Sequence, residues 1–196
     1  PVSFDYLREL AEKGMQVAAF DRKTRGAQGV VSCSVSIDQA LGARLATRHL
    51  IGLGHKRIAF ISGPIGTSNR TARLNGMRSE LEKAGLTLDS DLVWLGPNAT
   101  GFGDSQSADL GYRVPEDLSV VGFDDIFMAE VMQPPLTTVR QPVEQMSKLM
   151  VAKLIDTLET KGEIDDPHVE LPPELIVRAS TAAPRTSVKF QLRSTT

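Results

Sequence analysis

Cysteine is almost missing from this chain. Cys33 stands alone among 196 residues, so no internal disulfide can form, a usage that fits the cytosol. No apolar run reaches the roughly 18 residues that a membrane span requires. Charge of one sign is also lacking. The 22 Lys and Arg face 24 Asp and Glu, and the formal net charge of -2 gives this segment no electrostatic case for gripping nucleic acid. Histidine is sparse, and His49, His55 and His168 are too far apart for a metal motif. Each reads as a surface or cap residue, and no metal is expected. Cys33 sits on a β-prone stretch without a neighbouring histidine, which favours a packed thiol over a nucleophile. Ser62-Gly63-Pro64 follows a strand but matches neither a nucleophile elbow nor a P-loop. There is no heptad run, internal repeat or low-complexity tract. These absences leave no catalytic constellation and no cofactor motif.

What is present is an ordinary globular composition, 41% hydrophobic and 23% charged, in a length suited to one domain or two small lobes. Apolar periodicity alternates between helix and strand. A helix is expected over Asp5 to Lys13, with Gly14 beyond its end, then a short strand over Met15 to Phe20. Val30 to Val35 is β-prone and delivers Asp38 to a helix running from about Ile37 to Leu53, whose stripe is Leu41, Leu45, Ala46, His49, Leu50 and Leu53. The strand RIAFI (Arg57 to Ile61) precedes a helix over Arg70 to Ala84 with Leu74, Met77 and Leu81 inside. Asp91 to Leu95 is strand-like. Later, Ile126 to Val131 forms a short helix, and Leu136 to Arg140 a short extended segment. Pro142 opens a long helix to about Thr160, with a stripe from Val143 through Met146, Leu149, Met150 and Leu154 to Leu158. Two terminal strands flank Pro172-Pro173, at sheet edges because proline cannot complete a central ladder. Such alternation is the pattern of parallel βαβ units with helices on both faces.

The pattern fails between Gly96 and Gly111, where GPNATGFGDSQSADLG offers no apolar face for a crossover helix. A deletion or an omitted segment is expected there. The chain opens at Pro1 and enters helical pattern almost at once without a signal peptide, so a piece of a longer protein is expected, with a non-periodic tail over 182–196.

Two stretches carry polar groups where a small molecule would meet them. The run RVPEDLSVVGFDD ends an apolar strand on Asp124 and Asp125, and ligands of open α/β sheets sit at the carboxyl ends of strands. Asp124 is expected to hydrogen-bond a ligand and Asp125 to cap the following helix. The loop after RIAFI leads to Asn69, Arg70 and Arg73, and an arginine can grip paired oxygens of a diol or carboxylate. The plainer reading of either arginine is a helix-end ion pair.

LGHKRIAFISGP (Leu53 to Pro64), RLNGM (Arg73 to Met77), GYRVPEDLSVVGFDD (Gly111 to Asp125) and PPLTTVRQP (Pro134 to Pro142) occur in this order. Together they resemble the regulatory domain of the LacI/GalR family of bacterial transcription repressors, from Phe4 to about Thr181. The resemblance implies an α/β fold of the type I periplasmic-binding-protein-like class, two Rossmann-like lobes with parallel sheets around an effector cleft. The fold is incomplete here relative to the full one. The lobes would comprise 1–54 with 141–163, and 55–140 with 164–181. Chain crossovers would fall near His55, near Thr138 to Gln141, and between the last long helix and the terminal strands. The resemblance also implies a homodimer, a small effector such as a sugar or nucleobase, and operator DNA bound through an N-terminal headpiece absent from this sequence. Arg73, Asp124, Asp38 and Asn69 would meet the effector. A solute-binding protein of a transport system is the alternative on the same fold, and a sugar-processing hydrolase would need an acid/base pair that this sequence does not offer.

Overall fold

The computed structural model describes residues 4–21, 30–63, 68–95, 111–160 and 168–185. In chain order the elements are α1 (Phe4–Glu12), β1 (Ala18–Phe20), β2 (Cys33–Ile37), α2 (Gln39–Gly52), β3 (Phe60–Ser62) and α3 (Ser68–Lys83). A 3-10 turn at Ser90–Leu92 leads into β4 (Val93–Leu95). Then come β5 (Val121–Asp124), α4 (Met128–Val131), β6 (Thr137–Arg140), α5 (Val143–Glu159), β7 (His168–Leu171) and β8 (Glu174–Ile176).

The first sheet is parallel throughout in the order β1-β2-β7. Its central strand CSVSI alternates apolar and polar residues, yet all five are buried. Val35 and Ile37 pack with Met146 of α5, and Phe123, Leu149, Met150, Val169 and Leu171 close around them. On the opposite face, Ser34 and Ser36 meet the two ring nitrogens of His168 at 2.7 and 3.4 Å. Those bonds are what allow a strand with two serines to be buried on both sides.

A second core joins α2 to α3 through Ile58, Met77 and Leu81, flanked by Leu50, Ile51, Phe60, Leu86 and Leu88. The residues expected to line α3 do so, since Leu74, Met77 and Leu81 are all buried. On α2 the expected stripe is displaced. Its buried positions are Gln39, Gly42, Ala43 and Thr47, a face of small residues. The cause is close helix approach. A methyl placed on Gly76 of α3 would strike the backbone of Ala40, and one on Gly42 would lie 2.7 Å from Cζ of Phe123.

Beyond these, β3 and β4 form a two-stranded parallel sheet, and β5-β6-β8 a three-stranded one. In the latter β5 pairs parallel with β6, but β8 runs antiparallel to it, a departure from the all-parallel expectation. The irregular stretch between β4 and β5 lies outside the described residues up to Gly111.

Three other expectations shift. β7 pairs with β2, so residues 168–171 join the first sheet rather than the second lobe. The chain thus leaves the sheet of β2 at Pro172-Pro173 and joins β6 through β8. The stripe of α5 is only partly covered, because Met146 is buried whereas Val143 and Leu158 stand exposed at 50% and 60%. Lastly, the start of the expected tail is tied down. Ser119 Oγ accepts from Ala182 N at 3.0 Å, and His55 Nε2 donates to Ala182 O at 2.9 Å.

Candidate functional site

The site forms where parallel strands end and helices begin. Asp21 follows β1, and Asp124 is the last residue of β5; Gln39 opens α2, and Asn69 lies in the first turn of α3. Asp21, Asp124 and Asp125 all have positive φ, at 53, 89 and 45°, and they are the non-glycine residues with that conformation among the described residues. Aspartate tolerates this left-handed region better than most side chains, and a strained backbone at strand ends is where function tends to concentrate.

Arg73 is the centre. Its Nε donates to Gln39 Oε1 at 2.6 Å, and its Nη2 lies 3.4 Å from Asp124 Oδ1. The guanidinium carbon sits 3.6 Å from the centroid of Phe123, a cation–π contact that fixes its plane. Gln141, just past β6, donates through Nε2 to the same Oδ1 of Asp124. On the other side Asp21 receives Gln39 Nε2 at 2.9 Å, while Asn69 Nδ2 reaches both the backbone oxygen of Asp21 at 2.9 Å and its Oδ2 at 3.2 Å. One network thus runs from β1 through α2 and α3 to β5.

Burial pushes the Asp21 carboxyl above its ordinary value, with a smaller push from Asp124 against the pull of Gln39 and Arg73. Burial likewise draws the Arg73 guanidinium down, against the neighbouring charges of Asp124 and Asp21. Carboxylates that accept and a planar guanidinium that donates suit a neutral ligand rich in hydroxyl or amide groups.

Arg73, Asp124 and Asn69, chosen from the sequence, are brought into this one network. Asp38 is placed differently. Its Oδ1 accepts from Leu41 N at 2.8 Å as the N-cap of α2, and its Oδ2 pairs with Arg44 at 3.3 Å. Replacing Asp38 with alanine is expected to cost about 1 kcal/mol, as loss of an N-cap does, and Asp38→Asn to cost little. Urea denaturation of the two variants checks this. Asp125 is not the cap of α4, whose first turn has no side-chain cap bond; it turns instead to Arg140 and Arg178. Arg70 lies with its guanidinium against Gly63.

Sequence reading missed Asp21, Gln39, Phe123 and Gln141. The strand-end rule that picked out Asp124 applies equally to Asp21. Gln39 had no signal beyond following a capping aspartate. Cys33 is buried and its thiol is pushed up by that burial, as a packed thiol requires. Among the described residues no group of three or more metal-ligating side chains occurs, and no helix is long and apolar enough to cross a membrane.

The family model described as "Periplasmic binding proteins and sugar binding domain of LacI family" matches residues 2–132, and one described as "Periplasmic binding protein-like domain" matches 105–181. The chain is 34% identical over 175 residues to the HTH-type transcriptional regulator DegA of Bacillus subtilis (strain 168), covering 76% of this chain and 52% of that protein. It is 32% identical over 170 residues to the ribose operon repressor of Escherichia coli (strain K12), covering 71% and 51%. Among solved structures, a LacI family transcriptional regulator from Enterococcus faecalis V583 with bound ribose superposes with a TM-score of 0.78 at 26% identity, covering 93% of this chain and 75% of that one. The chain spans about half the length of the curated relatives it matches. By its matched residues and its relatives, this chain belongs to the LacI family of transcriptional regulators, in the periplasmic-binding-protein-like part of it.

Proposed function

We propose that this chain is the effector-binding and dimerisation part of a bacterial transcriptional repressor acting in the cytoplasm. A small molecule such as a sugar or nucleobase is held between the ends of β1 and β5 and the first turns of α2 and α3. The observation that carries this reading is the convergence of Arg73 on Asp124, at 3.4 Å and over the Phe123 ring. Arg73, Asp124 and Asn69 orient the ligand's polar groups, with Asp21 and Gln141 beside them and Asp38 at the rim through the start of α2. The work is binding, with no turnover and no cofactor.

The effector acts by its differential affinity for open and closed arrangements of the two lobes, because a ligand that bound both equally would shift nothing. Operator DNA is engaged through an N-terminal headpiece outside this sequence, in a homodimer. That the curated relatives are regulators supports regulation over transport.

Isothermal titration against D-ribose, cellobiose and a panel of nucleobases tests the reading. Arg73→Ala and Asp124→Ala should each weaken the best ligand about 10- to 100-fold, the range for hydrogen bonds to charged groups. Equal affinity in the parent and both folded variants would refute the assignment.

A further inference from the structure

Gln39 is 3% exposed, and both ends of its amide are in use. Nε2 donates to the Asp21 carboxylate at 2.9 Å, and Oε1 accepts from Arg73 Nε at 2.6 Å. Turning the amide over would set its NH2 against the arginine N–H and its oxygen against a carboxylate, so one orientation is enforced. A neutral dipole therefore lies aligned between an anion on the first sheet and a cation on α3. Of the two hydrogen bonds that Arg73 makes among the described residues, the one to Gln39 is the short one. The contact with Asp124 is longer than the usual 2.7–2.9 Å or so of a charge-assisted bond.

From this geometry we infer that Gln39 is the positioning residue of the effector site. It relays the placement of Asp21 to Arg73 and so aims the guanidinium over Phe123 and toward Asp124. The inference deepens the effector-binding reading and rests on it for its functional meaning, but the relay itself exists without any ligand. With Nε locked by Gln39 and one face covered by Phe123, the loosely held Nη2 edge is what a ligand oxygen takes. Asn69, bonded to the same Asp21, holds α3 to the end of β1 by a second route that does not pass through Gln39. That makes the two routes separable by substitution.

The test is made on the full chain without ligand, by nitrogen-15 spectra of the arginine Nε–H groups, with the Arg73 signal assigned by its loss in Arg73→Lys. In the parent this proton should exchange slowly with water. Gln39→Met, which keeps length and removes both polar ends, should speed its exchange at least about tenfold. Asp21→Ala should also speed it, although Asp21 does not bond to Arg73, and should add nothing when combined with Gln39→Met. Unchanged exchange in folded Gln39→Met would overturn the relay, as would independent effects of the two substitutions. Should Gln39→Met not fold, the single Asp21→Ala decides, since unchanged exchange there breaks the relay at its first link. A D-ribose titration of the same samples separates the two claims. Sugar binding with an exchange rate indifferent to Gln39 sinks the relay alone; the expected exchange pattern with no binding of any panel ligand sinks the effector reading alone.

Discussion

Replacing Asp125 with alanine is expected to destabilise the protein by about 3–5 kcal/mol, the cost of breaking a buried ion pair by removing one partner. The Asp125 side chain is 5% exposed and accepts from two arginines, Arg178 at 2.7 Å through Oδ1 and Arg140 at 2.6 Å through Oδ2. Arg178 is itself largely buried and also donates to Leu136 O at 2.7 Å. Without the carboxylate its charge would keep one carbonyl partner and little water. The arrangement ties the end of β5 to β6 and to the segment after β8, so the loss falls on three chain segments together. For a chain of this size the thermal midpoint should fall by roughly 10 °C, read by circular dichroism. A drop of no more than a degree or two would show that the arginines are satisfied without Asp125.

The pH dependence of the same group has a definite sign. Burial pushes the Asp125 carboxyl up, but Arg178 and Arg140 together outweigh it and hold the group below its ordinary value. A carboxyl depressed by folding contributes stability above its unfolded pKa of about 3.9 and loses it as pH falls through the folded value. In Asp125→Asn, which keeps the size and tolerates the positive φ, stability should decline less steeply below about pH 4 than in the parent.

Where large apolar side chains set the packing, the fold was legible in the sequence. Leu74, Met77 and Leu81 announced the inner face of α3, and Gly14 and Gly85 follow helix ends with positive φ, as a glycine beyond a helix end does. The face of α2 was not legible, because Gly42, Ala43 and Thr47 are buried for being small, and hydrophobic periodicity is blind to smallness. The strand-end rule points to Asp21, directly after β1, as much as to Asp124 at the end of β5. The assignment of Asp125 as a cap failed because its true partner, Arg178, lies 53 residues along the chain. Local spacing carries no information about such a contact. The placement of β7 failed similarly, since nothing in HVEL names β2 as its neighbour.

Gly76→Val is expected to cost more than the usual 1–3 kcal/mol or so of an overpacked core and to loosen the Gln39–Arg73 contact with it. A Cβ at Gly76 would fall well inside contact distance of Ala40 O and 2.9 Å from Ala40 Cα. Both are backbone atoms of α2 that no rotamer change can move, so α2 and α3 must part. Those two helices carry Gln39 and Arg73, and separating them stretches the 2.6 Å bond that aims the arginine. Even Gly76→Ala should be net destabilising, although alanine favours a helix by about 1 kcal/mol over glycine. Gly52, at the other end of α2, meets nothing within 4 Å, so Gly52→Ala isolates the propensity gain and should be neutral or stabilising. Urea denaturation orders the three variants, and a Gly76→Val midpoint equal to that of the parent would show that the helices are not in the close contact described.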